Sequence, residues 1–161
     1  MKLVRFAENG TARYGVLDGD IVRPTDATTL QDALAITGLD ALPVPLKTLD
    51  LLAPVERPRK ILGIGVNYAA HAAESVSFVD TKSPQVQKWF NKQATSANKP
   101  FGRVHLPKVS DQLDYEVELV VVIGKHGRHV PRERAMEIVA GFCVGCDYSV
   151  RDWQRASQTM I

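Results

Sequence analysis

The chain has 161 residues, 45% hydrophobic and 24% charged, with a formal net charge of +2. That is an ordinary globular composition, enough for one domain or for a small domain plus part of a larger one. The charge is small and scattered, which excludes a polybasic nucleic-acid or membrane surface, and no apolar run reaches the length of about eighteen residues that spans a bilayer.

The opening MKLVRFAENG alternates polar and apolar residues and reaches a turn within ten positions, so it does not read as a secretory signal. With two cysteines and no such signal, reduced thiols in the cytoplasm are expected. LVRFA, RYGVL and IVRP are separated by the turn signals Asn9-Gly10 and Asp18-Gly19-Asp20, which predicts a β-meander. In TTLQDALAITG the apolar residues Leu30, Ala33, Leu34 and Ile36 predict a short helix stopped at Gly38. Pro43, Pro45, Pro54 and Pro58 then mark a linker with one short extended piece, and the domain boundary is placed there, giving domains 1–57 and 58–161.

The second part opens with KILGIGVNY, a strand ending in a turn, followed by AAHAAES as a short helix. A polar, irregular stretch contains one strand around KWFNK, and DYEVELVVVIGK begins a long strand at Asp114. Pro131 opens a predicted helix over 132–139, AGFCVGCDYSV reads as a second buried strand, and RDWQRASQTMI starts a helix or a loop. A strand so close to Ile161 leaves an edge that needs cover, so a fragment of a longer protein, or one half of a split chain, is expected.

The chemistry concentrates in Asp114-Tyr115-Glu116-Val117-Glu118. Strand side chains alternate faces, so Asp114, Glu116 and Glu118 share one. Three stacked carboxylates on a strand that runs on into VVVI require a cation if the strand enters a core. Oxygen ligands suit Mg²⁺, Mn²⁺ or Ca²⁺. The same pattern in water is simply an acidic strand end. Asp147 ends the apolar run GFCVGC and offers a further acid where that strand emerges. His71 and Glu74, three apart, share one face of the predicted helix, where a carboxylate beside an imidazole makes a general base; a surface pair without function is the alternative.

Two motifs are set aside. GIGVNY matches a dinucleotide fingerprint at Gly63 and Gly65 but has Tyr68 where the third glycine belongs. Cys143-Val-Gly-Cys146 lies within a strand, where odd spacing sends the thiols to opposite faces, and both read as small core residues.

Taken together, ILGIGVNYAAHAAE, LPKVSDQLDYEVELVVVIGK and AGFCVGCDYSVRDWQ resemble the fumarylacetoacetate hydrolase family from about Lys60 to the end of the chain. The resemblance implies an α+β, β-rich fold: a small N-terminal α/β domain followed by part of a mixed β-sandwich roll. It implies Glu116, Glu118 and Asp147 as ligands of a divalent Mg²⁺ or Mn²⁺, with Ca²⁺ also compatible, and His71 with Glu74 as the water-activating dyad. It places Arg151, Gln154, Lys92 and Tyr68 on the substrate side. It further implies a small 2-oxo or 1,3-dioxo acid as substrate, C–C cleavage or a related decarboxylation or isomerisation, and a homodimer. A relative that binds a metabolite without turnover is the non-catalytic alternative. The chain departs from the family in two places. QATSANKPFG replaces the usual proline- and glycine-rich turn after the lysine, and GVNY stands where the founding enzymes carry a further acidic ligand. The family's later GKS-like segment and its metal-facing lysine have no counterpart in these 161 residues.

Overall fold

The computed structural model describes residues 1–70 and 87–156. The predicted helix AAHAAES, with His71 and Glu74, therefore falls largely outside the described residues.

The meander forms as the turn signals dictate. Strands β1 (Leu3–Glu8), β2 (Thr11–Asp18) and β3 (Ile21–Pro24) pair antiparallel, Leu3 opposite Val16 and Asp18 opposite Ile21. Asn9 and Gly10 both take positive φ, +49° and +79°, as a tight type I′ hairpin requires, and Gly19 takes +57° in the second turn. The proline-rich stretch does more than link. Its short strands β4 (Val44–Pro45) and β5 (Asp50–Leu51) cover the two sides of the meander, in the order β4-β3-β2-β1-β5. Pro45 is tolerated there because the edge needs no outward N–H.

The core of this sheet is small. Phe6, Tyr14 and Val22 are fully buried, with Ala33 of helix α1 (Leu30–Leu34) and Ala27 beside them. Leu3, Leu30 and Ile36 pack on Tyr14, Ala27 and Ala33. Burying a side chain such as Phe6 is worth about 2–3 kcal/mol, so these few residues carry much of the sheet's stability. Gly15 lets the core close: a Cβ there would lie 2.5 Å from Val22 Cγ1. Helix α1 is capped by Thr29, whose hydroxyl accepts from Asp32 N, and Leu30 N donates to Glu56 Oε1. It stops at Leu34, short of Gly38, because Ala35 N bonds back to Asp32 O and tightens the last turn.

Two further ladders follow. β6 (Ile61–Gly65) pairs antiparallel with β7 (Lys88–Lys92), and Gly63 lies beneath the ring of Phe90, where any Cβ would collide with it. That close approach accounts for the glycine without a nucleotide. β8 (Leu113–Ile123) pairs antiparallel with β9 (Val139–Val150), with an irregularity between Val122 and Ile123. The predicted helix over 132–139 is a 3₁₀ stretch, Arg132–Ile138, with Pro131 at its cap rather than inside it. Helix α2 (Arg151–Ala156) follows β9 directly.

Two expectations are corrected here. β8 and β9 were read as core strands, yet the buried apolar residues among those described lie between Phe6 and Ala33, and Val120, Val121, Phe142 and Val144 are exposed. The cysteines are not small core residues either: Cys143 is half-buried and Cys146 exposed. Apolar runs signal the capacity to be buried; a partner layer has to be present for burial to occur.

By its contacts the chain divides into two compact units. One joins Met1–Glu56 with Asn98–Asp152 and so holds the five-stranded sheet and the β8–β9 ladder; the other holds the β6–β7 ladder. The fold is strand-rich with few helices, as the α+β, β-rich expectation has it.

Candidate functional site

The register of β8 and β9 decides which acids share a face. Glu116 lies directly opposite Asp147, Glu118 opposite Gly145 and Asp114 opposite Ser149. Directly opposed residues of an antiparallel pair project to the same side, and so do residues two apart on one strand. Asp114, Glu116, Glu118, Asp147 and Ser149 therefore line one face, and Gly145 leaves the position across from Glu118 without a side chain. Cys143, opposite Val120, is on this face, while Cys146, opposite Val117, is on the other.

Arg151 organises one end of this face. It leads α2 immediately after β9, where its backbone N–H donates to Gln112 O at 2.9 Å. Asp152 Oδ1, next along, accepts from Ser110 Oγ at 2.8 Å, a second tie between the helix start and the approach to β8. The Arg151 side chain folds back on the strands. Its Nε donates to Asp114 Oδ2 at 2.9 Å and its Nη1 lies 3.1 Å from Glu116 Oε1. Ser149 Oγ donates to the same Glu116 oxygen at 3.0 Å. The hydrogen bond from Arg151 is the main reason the Asp114 carboxyl is held below the usual aspartate range, with Tyr115 N donating to it as well.

The other expected residues are placed as follows. Glu118 is half-buried on β8, and Asp147 sits on β9 across from Glu116. Lys92 is half-buried at the end of β7, opposite Ile61. Tyr68 is exposed just beyond β6, and Gln154 is half-buried in α2. His71 and Glu74 lie outside the described residues.

As a metal site the acidic face fits in kind. Its donors are all hard oxygens, drawn from two paired strands, with a serine hydroxyl holding one of them. Among the described residues, however, no three His, Cys, Asp or Glu side chains are gathered closely enough to hold an ion, and Glu116 bonds to Arg151 and Ser149. Sequence reasoning counted Asp114 among the stacked acids without making it a ligand, and it passed over Ser149. The period of two carried the signal for both, since Ser149 lies two residues beyond Asp147.

A strand-rich fold with a carboxylate-lined ladder defines the class, and comparison with known proteins names the family. Residues 60–161 match the family described as "Fumarylacetoacetate (FAA) hydrolase C-terminal", and residues 1–54 match "Rv2993c-like, N-terminal". The chain belongs to the fumarylacetoacetate hydrolase family.

Among its relatives, the human "Oxaloacetate tautomerase FAHD2A, mitochondrial" is 45% identical over 114 residues, covering 70% of this chain and 35% of the relative. The fumarylacetoacetate hydrolase of Exiguobacterium antarcticum superposes with a TM-score of 0.77 at 30% identity, over 97% of this chain and 58% of that one. The maleylpyruvate hydrolase of Sphingobium, solved with manganese(II) and pyruvate, gives 0.73 at 28% identity, over 94% of this chain and 60% of that one. The chain thus spans between about a third and three fifths of the length of these relatives. Among the described residues no helix is long and apolar enough to cross a membrane.

Proposed function

We propose that this chain supplies the carboxylate half of a divalent-metal site that acts on a small 2-oxo or 1,3-dioxo acid, and that its reaction is hydrolytic C–C cleavage. The observation that carries the reading is the register that sets Glu116 directly across from Asp147, with Glu118 on the same face. The manganese(II) and pyruvate bound by the Sphingobium relative support both the metal and the 2-oxo acid class.

In this reading Glu116, Glu118 and Asp147 hold Mg²⁺ or Mn²⁺. An ion held by these carboxylates would supply Lewis-acid polarisation of the substrate's carbonyl group. Ser149 keeps the Glu116 carboxylate oriented. Arg151 offsets the negative charge of Asp114 and Glu116; Arg151, Gln154, Lys92 and Tyr68 are assigned to the substrate side on the family resemblance alone. His71, its tautomer set by Glu74, takes a proton from the attacking water; this pair is assigned on sequence alone. A homodimer belongs to the same proposal, as does a division into domains 1–57 and 58–161, which falls in the gap between the two matched stretches.

A second reading, proton transfer within the 2-oxo acid without C–C cleavage, is favoured by the 45% identity to the human tautomerase. There His71 would move a proton between carbon and oxygen rather than activate water.

One assay separates the two. Acylpyruvate loss and oxaloacetate keto–enol interconversion are both followed by ultraviolet absorbance, with Mn²⁺ titrated. Metal-dependent acylpyruvate loss supports hydrolysis, and interconversion alone supports the tautomerase. Glu116→Ala and Asp147→Ala are expected to abolish Mn²⁺ binding while His71→Ala retains it and loses turnover. Loss of the ion in His71→Ala would overturn the division between ligands and base.

A further inference from the structure

One guanidinium is shared between two carboxylates of unequal standing. Arg151 Nε donates to Asp114 Oδ2 at 2.9 Å, and Arg151 Nη1 lies 3.1 Å from Glu116 Oε1. Both acids stand on the same face of β8, but Glu116 is opposed by Asp147, whereas Asp114 is opposed by Ser149. Two nitrogens of a planar group held on two carboxylates fix the plane of that group. The backbone that carries it is fixed as well: Arg151 N donates to Gln112 O, Ser110 Oγ donates to Asp152 Oδ1, and Gln112 N donates to Ser110 Oγ at 3.0 Å. Asp114 is itself oriented, because its Oδ1 accepts from Tyr115 N at 2.8 Å while Oδ2 receives Arg151.

Stability does not account for this arrangement. The Arg151 side chain is 26% exposed, Glu116 28% and Asp114 47%, and ion pairs so accessible to water add little to the folded state. What the arrangement does is divide a charge. A divalent ion at Glu116 meets the guanidinium as a like charge. Were Asp114 neutral, the whole of that charge would fall to Glu116. As it stands, a carboxylate outside the proposed ligand set takes up part of it. Ser149 Oγ, the other donor to Glu116 Oε1, carries no charge and does not oppose an ion.

We propose that Asp114 is a positioning residue for Glu116 that acts through Arg151: it holds the guanidinium by Nε and so leaves the Glu116 carboxylate to a divalent cation. The proposal rests on the reading of Glu116 as a ligand, and its tests read ion binding and hydrogen exchange rather than turnover.

Asp114→Asn leaves an oxygen for Tyr115 N and turns an amide NH₂ toward Arg151. Mn²⁺ affinity is measured by isothermal titration in a double-mutant cycle with Arg151→Met. Asp114→Asn is expected to weaken Mn²⁺ binding at least about tenfold in the unmutated background, and no more than about threefold where Arg151 is Met, since only the direct loss of one screened charge is then left. Asp114→Glu, which keeps the charge and the acceptor, is expected to restore binding to within about threefold. A measurement on the unmutated chain needs no variant to fold: with saturating Mg²⁺, the Arg151 Nε–H stays slow to exchange with water by nuclear magnetic resonance, because Asp114 retains it. Equal losses in both backgrounds, or loss of that protection on adding Mg²⁺, would overturn the proposal while leaving Glu116 a ligand. An unmutated chain that takes up no Mn²⁺ would overturn the metal reading and the proposal with it.

Discussion

Replacing Arg151 by Met tests whether the acidic face is built to receive a cation. Arg151 Nη1 lies 3.1 Å from Glu116 Oε1, so an ion taken up by Glu116 has a guanidinium charge as a close neighbour. For a divalent ion and a single charge about 5 Å apart in a water-like dielectric, the repulsion is about 1–2 kcal/mol, or about tenfold in affinity, less in high salt. Met keeps much of the apolar stem and removes the charge. Arg151→Met is therefore expected to bind Mn²⁺ about tenfold more tightly than the unmutated chain by isothermal titration, with the difference shrinking as ionic strength rises. If a 2-oxo acid relies on the same guanidinium, its KM rises in the variant although the ion is held better. Mn²⁺ binding weakened tenfold in Arg151→Met would refute the reasoning, since Arg151 would then be arranging the ligands rather than competing with the ion. An unchanged affinity would place the ion away from Glu116.

Three further outcomes follow from the geometry. Gly15→Ala puts a Cβ 2.5 Å from Val22 Cγ1 and 3.0 Å from the Arg23 carbonyl oxygen, so it is expected to destabilise the five-stranded sheet by about 1–3 kcal/mol in urea unfolding. The Asp114 carboxyl is depressed by its bond from Arg151, so its contribution to stability is present above the unfolded aspartate value of about 4 and is lost as pH falls through the lower folded value; Asp114→Asn is expected to flatten the acid limb of a circular-dichroism titration in that window. Burial pushes the Cys143 thiol up, whereas Cys146 is exposed, so Cys146 is expected to react first with iodoacetamide near pH 8, as read by peptide mass mapping.

Much of this protein is legible in its sequence because local rules act over a few residues. Asn9-Gly10 and Gly19 specify where the meander turns, since few other residues accept their positive φ. The period of two in Asp114, Glu116 and Glu118 specifies that they share a face, because the pleat leaves no other choice. The family motifs, spread from Ile61 to Gln154, carry the resemblance to the fumarylacetoacetate hydrolase family before any coordinates are drawn.

What required the tertiary structure is everything that depends on which strand meets which. Alternation allows Asp147 either face relative to Glu116, and only the β8–β9 register puts them in one rung. Arg151 lies 35 residues beyond Glu116, too far along the chain for any local pattern to show that it turns back onto Asp114 and Glu116. The short edge strands β4 and β5 were hidden by prolines, which weaken a strand's local signal although a sheet edge accepts them. Burial itself was misjudged for VVVI and for both cysteines, because apolarity is a property of the residue whereas burial belongs to the packed pair of layers.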